Sequence, residues 1–220
     1  MKVIKSFFVA ALALLVIVFV VSAIGGNNQP AANQPNNQTE PAGAAQAIQQ
    51  TAAPAVPVPP MEAKIISIVN DYAAKYDAAP NQMAQGALRP ARAREICHVM
   101  AALNGAADPF QLNNWVGIVQ TLSSNNDGKG VLAIAISGNT IFTTWNNDLS
   151  DIGDNTLIQP GTALLTKASA LSVGQQVYFS GRVFVNKKDC LEEQSLTMDG
   201  AMKNPAFTFK FTDVRPVSAN

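Results

Sequence analysis

The chain has 220 residues, 15 Lys and Arg against 15 Asp and Glu, and a formal net charge of zero. This balance excludes a strongly basic nucleic-acid binder, because neutralising phosphates takes an excess of Lys and Arg on one surface. One histidine (His98) and two cysteines (Cys97 and Cys190) exclude a four-ligand Cys/His metal site. They also leave few groups for acid–base chemistry near neutral pH.

The chain divides into unlike regions. In residues 1–24, Lys2 and Lys5 precede an unbroken apolar run from Phe7 to Val21. A helix over Phe7–Ile24 is long enough, at 18 residues, to approach the span of a bilayer core while satisfying its own backbone. The next basic residue is Lys64, so the positive-inside bias puts the N-terminus in the cytoplasm and everything after the segment outside it. A cleaved signal peptide is the alternative, with small residues at Val21-Ser22-Ala23 or Ala23-Ile24-Gly25. Both readings export the rest of the chain.

Residues 25–60 are rich in Asn, Gln, Ala and Pro, hold seven of the chain's 13 prolines, and carry Glu40 as their one charge. With no aromatic residue and few large aliphatics, burial cannot offset the entropy of ordering. The stretch is predicted to be a disordered tether that stiffens toward polyproline II at Pro54–Pro60.

Residues 61–113 read as a helical segment. Ile65, Ile66, Ile68, Val69, Tyr72 and Tyr76 recur at helical spacing and make one apolar stripe after Pro59-Pro60, and Pro80 stops the helix. A second helix is expected over 81–104, broken at Pro90.

From Asn114 the period changes to two. Strands are expected at Trp115–Leu122, Val131–Ser137 and Thr140–Trp145, with Asp127-Gly128 as a hairpin turn. A short helix comes next, at Thr162–Leu171. Further strands are expected at Gln175–Val185 (where Gly181 marks a bulge or a tight bend), Cys190–Met198 and Ala206–Val214. Three strands, a helix, a strand and a closing hairpin follow the order of the OB barrel. The fold class is therefore mainly β with N-terminal helices. It is a small OB-type Greek-key barrel over 114–220, preceded by a membrane helix, a disordered linker and a two-helix segment.

The phrases NWVGIVQTL, TLIQPGTALL, LSVGQQVYFSGRVF and NPAFTFKFTDV, with Cys190 and Glu193-Gln194-Ser195, resemble the OB-type domain of uncharacterised exported or membrane-anchored bacterial proteins. They are similar also to the wider OB group named for likeness to tRNA anticodon-binding domains. The resemblance covers roughly 114–217 and rests on strand order and glycine placement. It implies a bacterial protein: a single-pass inner-membrane protein with its C-terminal domain in the periplasm, or one secreted there after cleavage.

Export allows Cys97 and Cys190 one intramolecular disulfide, docking the second helix onto the barrel; the alternative is two separate thiols. Arg89, Arg92 and Arg94 form the basic cluster. They are read chiefly as a solvated helix face neutralised by Asp71, Asp77 and Glu95, and otherwise as a contact for phosphate, lipid headgroups or an acidic partner. Trp115, Trp145 and Tyr178 are the candidate ligand-contact aromatics, set against the alternative of core packing. Asp148, Asp151 and Asp154 read as a solvated Asx-rich loop rather than a calcium loop. No catalytic constellation, metal site or cofactor motif is expected, and His98, Ser180 and Glu192-Glu193 lack a partner at a recognisable spacing. The reading is a non-catalytic, membrane-tethered interaction module with a protein partner in the envelope. An OB binder of oligosaccharide or single-stranded nucleic acid is the alternative, with nucleic acid disfavoured by the charge balance.

Overall fold

Pro60 opens the first helix, α1 (Pro60–Asp77), where its fixed φ suits the first turn and its missing N–H costs nothing. The structure, a computed structural model, describes residues 56–103 and 108–217. The expected membrane segment, and the expected linker up to residue 55, lie outside the described residues. Among the described residues no helix is long and apolar enough to cross a membrane.

The stripe of Ile65, Ile68, Val69, Tyr72 and Tyr76 is buried. It packs on α2 (Gln82–Leu103), whose inward residues are Ala93, Ile96, Val99 and Met100. Asn81 begins α2, its Oδ1 accepting from the N–H groups of Met83 at 3.1 Å and Ala84 at 3.0 Å. The helix runs through Pro90 without the predicted break. Pro90 is exposed, so the carbonyl it deprives of a donor, that of Gly86, stays within reach of water, and tertiary packing holds the turn.

The barrel is built from β1 (Gln111–Ser124), β2 (Gly130–Ser137), β3 (Thr140–Thr143), β4 (Gln176–Val183) and a last strand, Ala206–Pro216. Between β3 and β4 lies α3 (Ala163–Ser169), capped by Thr162, whose Oγ1 accepts from Leu165 N–H at 3.2 Å. Two short strands, β5 (Val185–Asn186) and β6 (Cys190–Leu191), pair as a separate ribbon, and α4 (Met198–Lys203) precedes the last strand, β7.

The sheet closes in the order β1-β2-β3-β7-β4 and back to β1. All pairings are antiparallel except β3 with β7, which are parallel. This closed five-stranded mixed barrel is compatible with an OB-like fold. The strand expected at Cys190–Met198 is a correction. Cys190–Leu191 pairs in the ribbon, residues 192–194 make an isolated antiparallel bridge to the last strand at Glu193–Phe207, and Met198 starts a helix. Thr197 makes the difference, its Oγ1 accepting from Gly200 N–H at 3.0 Å with Asp199 in the first turn. The closing strand β7 therefore takes its ladder partners from β3 and β4, and of the expected closing hairpin the Glu193–Phe207 bridge remains.

Trp115, Phe142, Phe179, Phe207 and Phe209 fill the barrel, with Phe142 at the centre: its ring centroid lies 5.4 Å from Trp115, 5.3 Å from Phe209 and 5.5 Å from Phe207. Such edge and tilted contacts add stabilisation beyond the area they bury. The register of β4 on β7 shifts between Ser180 and Gly181. A Cβ at Gly181 would stand 2.2 Å from the Lys210 carbonyl oxygen and 2.6 Å from the Phe209 ring, so only glycine permits this approach. The core of the described residues runs from Met61 to Val214, within one compact unit, Thr51–Asn220.

Candidate functional site

Helix α2 meets the β5–β6 ribbon through covalent and ionic ties. Cys97 on α2 and Cys190 on β6 form a disulfide across a separation of 93 residues. Beside it, the Arg89 guanidinium grips Asp189 with two hydrogen bonds, Nε to Oδ1 and Nη2 to Oδ2 at 2.7 Å, and Glu193 Oε2 lies 3.7 Å from Nη2. Such a planar fork matches a carboxylate in direction as well as charge. Donating these hydrogen bonds to Asp189 pushes the Arg89 pKa up from its ordinary value.

Arg92 is wholly buried. Its Nη1 donates to the Ala201 carbonyl at 2.6 Å, while Nε and Nη2 have no partner among the described residues. Burial pulls its pKa down, and Asp189 and Glu193 nearby oppose that. Glu193 Oε1 accepts from the Ser195 and Ala206 N–H groups, at 3.0 and 3.1 Å. The solvated basic face is thus corrected: Arg89 and Arg92 lie inside, because the ribbon and α4 bring acceptors about 100 residues distant in sequence over α2. The acids expected to neutralise that face turn elsewhere. Asp71 lies 3.9 Å from Lys75, Asp77 lies 2.7 Å from Lys203, and Glu95 faces Tyr72.

Arg94 alone of the three is exposed. It lines a cleft of about 320 Å³ with Lys187 and Lys188 from the turn of the ribbon, beside Pro90, Val185 and the disulfide. None of these three cations has an ion pair among the described residues. The lysine pair was missed in the sequence, where Lys187-Lys188 stands alone; only the fold sets it beside Arg94.

The three candidate aromatics separate in the structure. Trp115 is core, not surface. Trp145 is half-buried, its Nε1 donating to Asp154 Oδ2 at 2.8 Å. Tyr178 is half-buried on the outside of the barrel, with the Arg215 guanidinium 4.5 Å above its ring. Arg215 Nη2 donates to Asn114 Oδ1 at 2.9 Å, and Asn114, at φ 52°, donates its N–H to Ser180 Oγ where β1 slips its register on β4. Tyr178, Arg215 and Asn114 therefore form one outer patch.

The loop after β3 is less solvated than expected. Asp151 is buried, accepting from Thr156 N–H at 2.6 Å, Thr156 Oγ1 at 2.7 Å and Leu157 N–H at 3.2 Å. Asp148 is taken by Lys129 and by Asn125, and Asp154 by Trp145. Protein donors occupy each carboxylate, so the loop is an internally bonded turn.

A further acidic residue escaped the sequence reading. Glu62, in the first turn of α1, is buried, and its Oε2 accepts from Val116 N–H at 2.8 Å. Burial pushes its carboxyl up to about 7, against the lowering effect of that hydrogen bond. Nothing in its sequence surroundings marks it, since an acid in a first helical turn is ordinary. No protein-family model matches the chain, and no curated protein matches it either.

Proposed function

We propose that the chain is a non-catalytic, membrane-tethered binding module of the bacterial envelope. In this reading residues 7–24 lie in the inner membrane, the N-terminus is cytoplasmic, and the barrel, of OB type, stands in the periplasm. The observation that carries it is the Cys97–Cys190 disulfide, a bond that persists in oxidising compartments and is rare where thiols are kept reduced. The strand order, with β3 parallel to β7 and a helix between β3 and β4, supports the OB type.

The partner is a protein with an acidic segment. The cleft suits it, because Arg94 and the two lysines come from elements that the disulfide and the Arg89–Asp189 pair hold in fixed relation. Pro90 and Val185 add apolar contact beside the charges.

Two measurements test the reading. A C-terminal reporter that works only outside the cytoplasm should be active in the membrane fraction; an inactive reporter on a cytoplasm-facing domain overturns the topology. A photo-cross-linker at position 185 should then capture one envelope protein. The triple variant R94E/K187E/K188E should lose that adduct, and its retention overturns the cleft as the contact.

The patch of Tyr178, Arg215 and Asn114 favours a second reading, an oligosaccharide or a single-stranded nucleic acid bound on the barrel's outside. Salt separates the two ligands: nucleic-acid binding weakens steeply as salt rises, whereas sugar binding does not.

A further inference from the structure

Between the start of α1 and the outer side of β1 and β2 lies a groove of about 460 Å³. Its walls include Val58, Ile118, Ile136 and Val173, and three of these stay open to solvent, Val58 at 46%, Ile118 at 49% and Val173 at 64%. Glu62 is the one ionisable side chain in its lining, and it is 1% exposed.

The reason Glu62 stands there is visible in the ladder. The β1–β2 ladder ends at Ile118–Ala135, and β2 shifts register on β3 between Ala135 and Ser137, so the Val116 N–H has no strand partner on that side. Glu62 Oε2 takes it, at 2.8 Å. That task needs one oxygen, and a carboxylate has acceptor sites on both. No other donor reaches the Glu62 carboxyl among the described residues.

A buried carboxylate with a single neutral donor is short of a partner. Hydrocarbon alone in the groove would leave it so, and an anion would be repelled. An ammonium group on a hydrocarbon body answers both parts of the lining, because it supplies a charged donor to Glu62 and apolar surface to the walls. The volume falls within the range of small-molecule sites.

We propose that this groove binds a small alkylammonium ligand, its ammonium donating to Glu62 and its hydrocarbon part lying along Ile118, Ile136, Val58 and Val173. This site is distinct from the cationic cleft beside the disulfide and does not depend on where the chain resides. Because burial holds the empty carboxyl near 7, the arriving ammonium draws it into its ionised form. No other ionisable side chain from α1, β1, β2 or the 173–176 segment lines the groove. Binding therefore strengthens between pH 5.5 and pH 8.

The test is a titration of residues 51–220, which carry their own core, with hexylammonium, hexanol and hexanoate. The amide signals of Val116, Gly117 and Ile118 report occupancy. Hexylammonium should shift them saturably and bind about tenfold or more tighter than hexanol, the weight of a charge-assisted hydrogen bond in a buried site. Hexanoate should leave them unmoved. E62Q should bring hexylammonium down to the hexanol affinity. G138L, placed where a side chain meets nothing within 4 Å in a groove-lining residue, should weaken hexylammonium and hexanol together. Equal binding of hexanol and hexylammonium by the wild-type domain overturns the proposal, as does undiminished hexylammonium binding by G138L. If E62Q does not fold, those two comparisons decide.

Discussion

Replacing Glu62 by Gln should change how stability depends on pH more than it changes stability at any one pH. The folded carboxyl sits at about 7 against 4.5 for the unfolded chain, so the native state holds this proton more tightly. Folding is then favoured most below pH 4.5, where the group is protonated in both states, and the contribution is lost as pH rises through 7. At about 1.4 kcal/mol per pKa unit, the loss amounts to roughly 3 kcal/mol between pH 4.5 and pH 8. Gln keeps an oxygen for the Val116 N–H and removes the titration. Urea unfolding of wild type and E62Q across this range gives the two stability curves, and groups common to both cancel in their difference. The wild-type curve should fall relative to that of E62Q by about 3 kcal/mol, most of it between pH 5 and 8. Parallel curves, or a wild-type protein that gains stability relative to E62Q as pH rises, would refute the reasoning.

Other perturbations test the junction and the barrel. Asp189→Ala strips the Arg89 guanidinium of its bidentate acceptor beside the buried Arg92, and should cost about 3–5 kcal/mol in urea unfolding with the disulfide intact. Reduction of Cys97–Cys190, or C97S with C190S, releases a 93-residue separation and should lower stability by about 3–5 kcal/mol, read as a drop in the denaturation midpoint at constant slope. Gly181→Ala drives a methyl onto the Lys210 carbonyl and should cost about 1–3 kcal/mol; thermal melting within 1 °C of wild type would contradict the close approach. The exposed charge reversal R94E/K187E/K188E should leave stability within about 1 kcal/mol while removing the cross-linked adduct.

The parts of the fold legible in the sequence are those decided by neighbours in the chain. The stripe on α1, the alternation of Phe207, Phe209 and Phe211, and the short helix expected at Thr162–Leu171 each carry their signal within a turn or two. The parts that were not legible depend on residues far away. Arg89 and Arg92 look like a solvated face until Asp189, Glu193 and Ala201 arrive from the far end of the chain. Trp115 reads as a ligand-contact aromatic or as core until Phe142 and Phe179 close around it. The strand expected over Cys190–Met198 stops short because a threonine cap at Thr197 starts a helix at Met198. At the candidate sites, Lys187 and Lys188 gain their meaning only beside Arg94, and Glu62 only beside the unpaired edge of β1.

The distance along the chain between α2 and its acceptors also sets an order of assembly. A chain emerging N-terminus first presents Arg89, Arg92 and Cys97 long before Asp189, Cys190 and Ala201 exist outside the site of synthesis. Until then α2 has neither counter-charge nor sulfur partner, so its docking waits for nearly the whole domain. The waiting thiol, however, has one eventual mate within its own molecule, since the chain holds two cysteines. Intramolecular mispairing is therefore impossible, and the wrong bond open to Cys97 is one to another chain. Oxidative yield should accordingly fall with protein concentration and be indifferent to a disulfide-shuffling catalyst when chains are dilute.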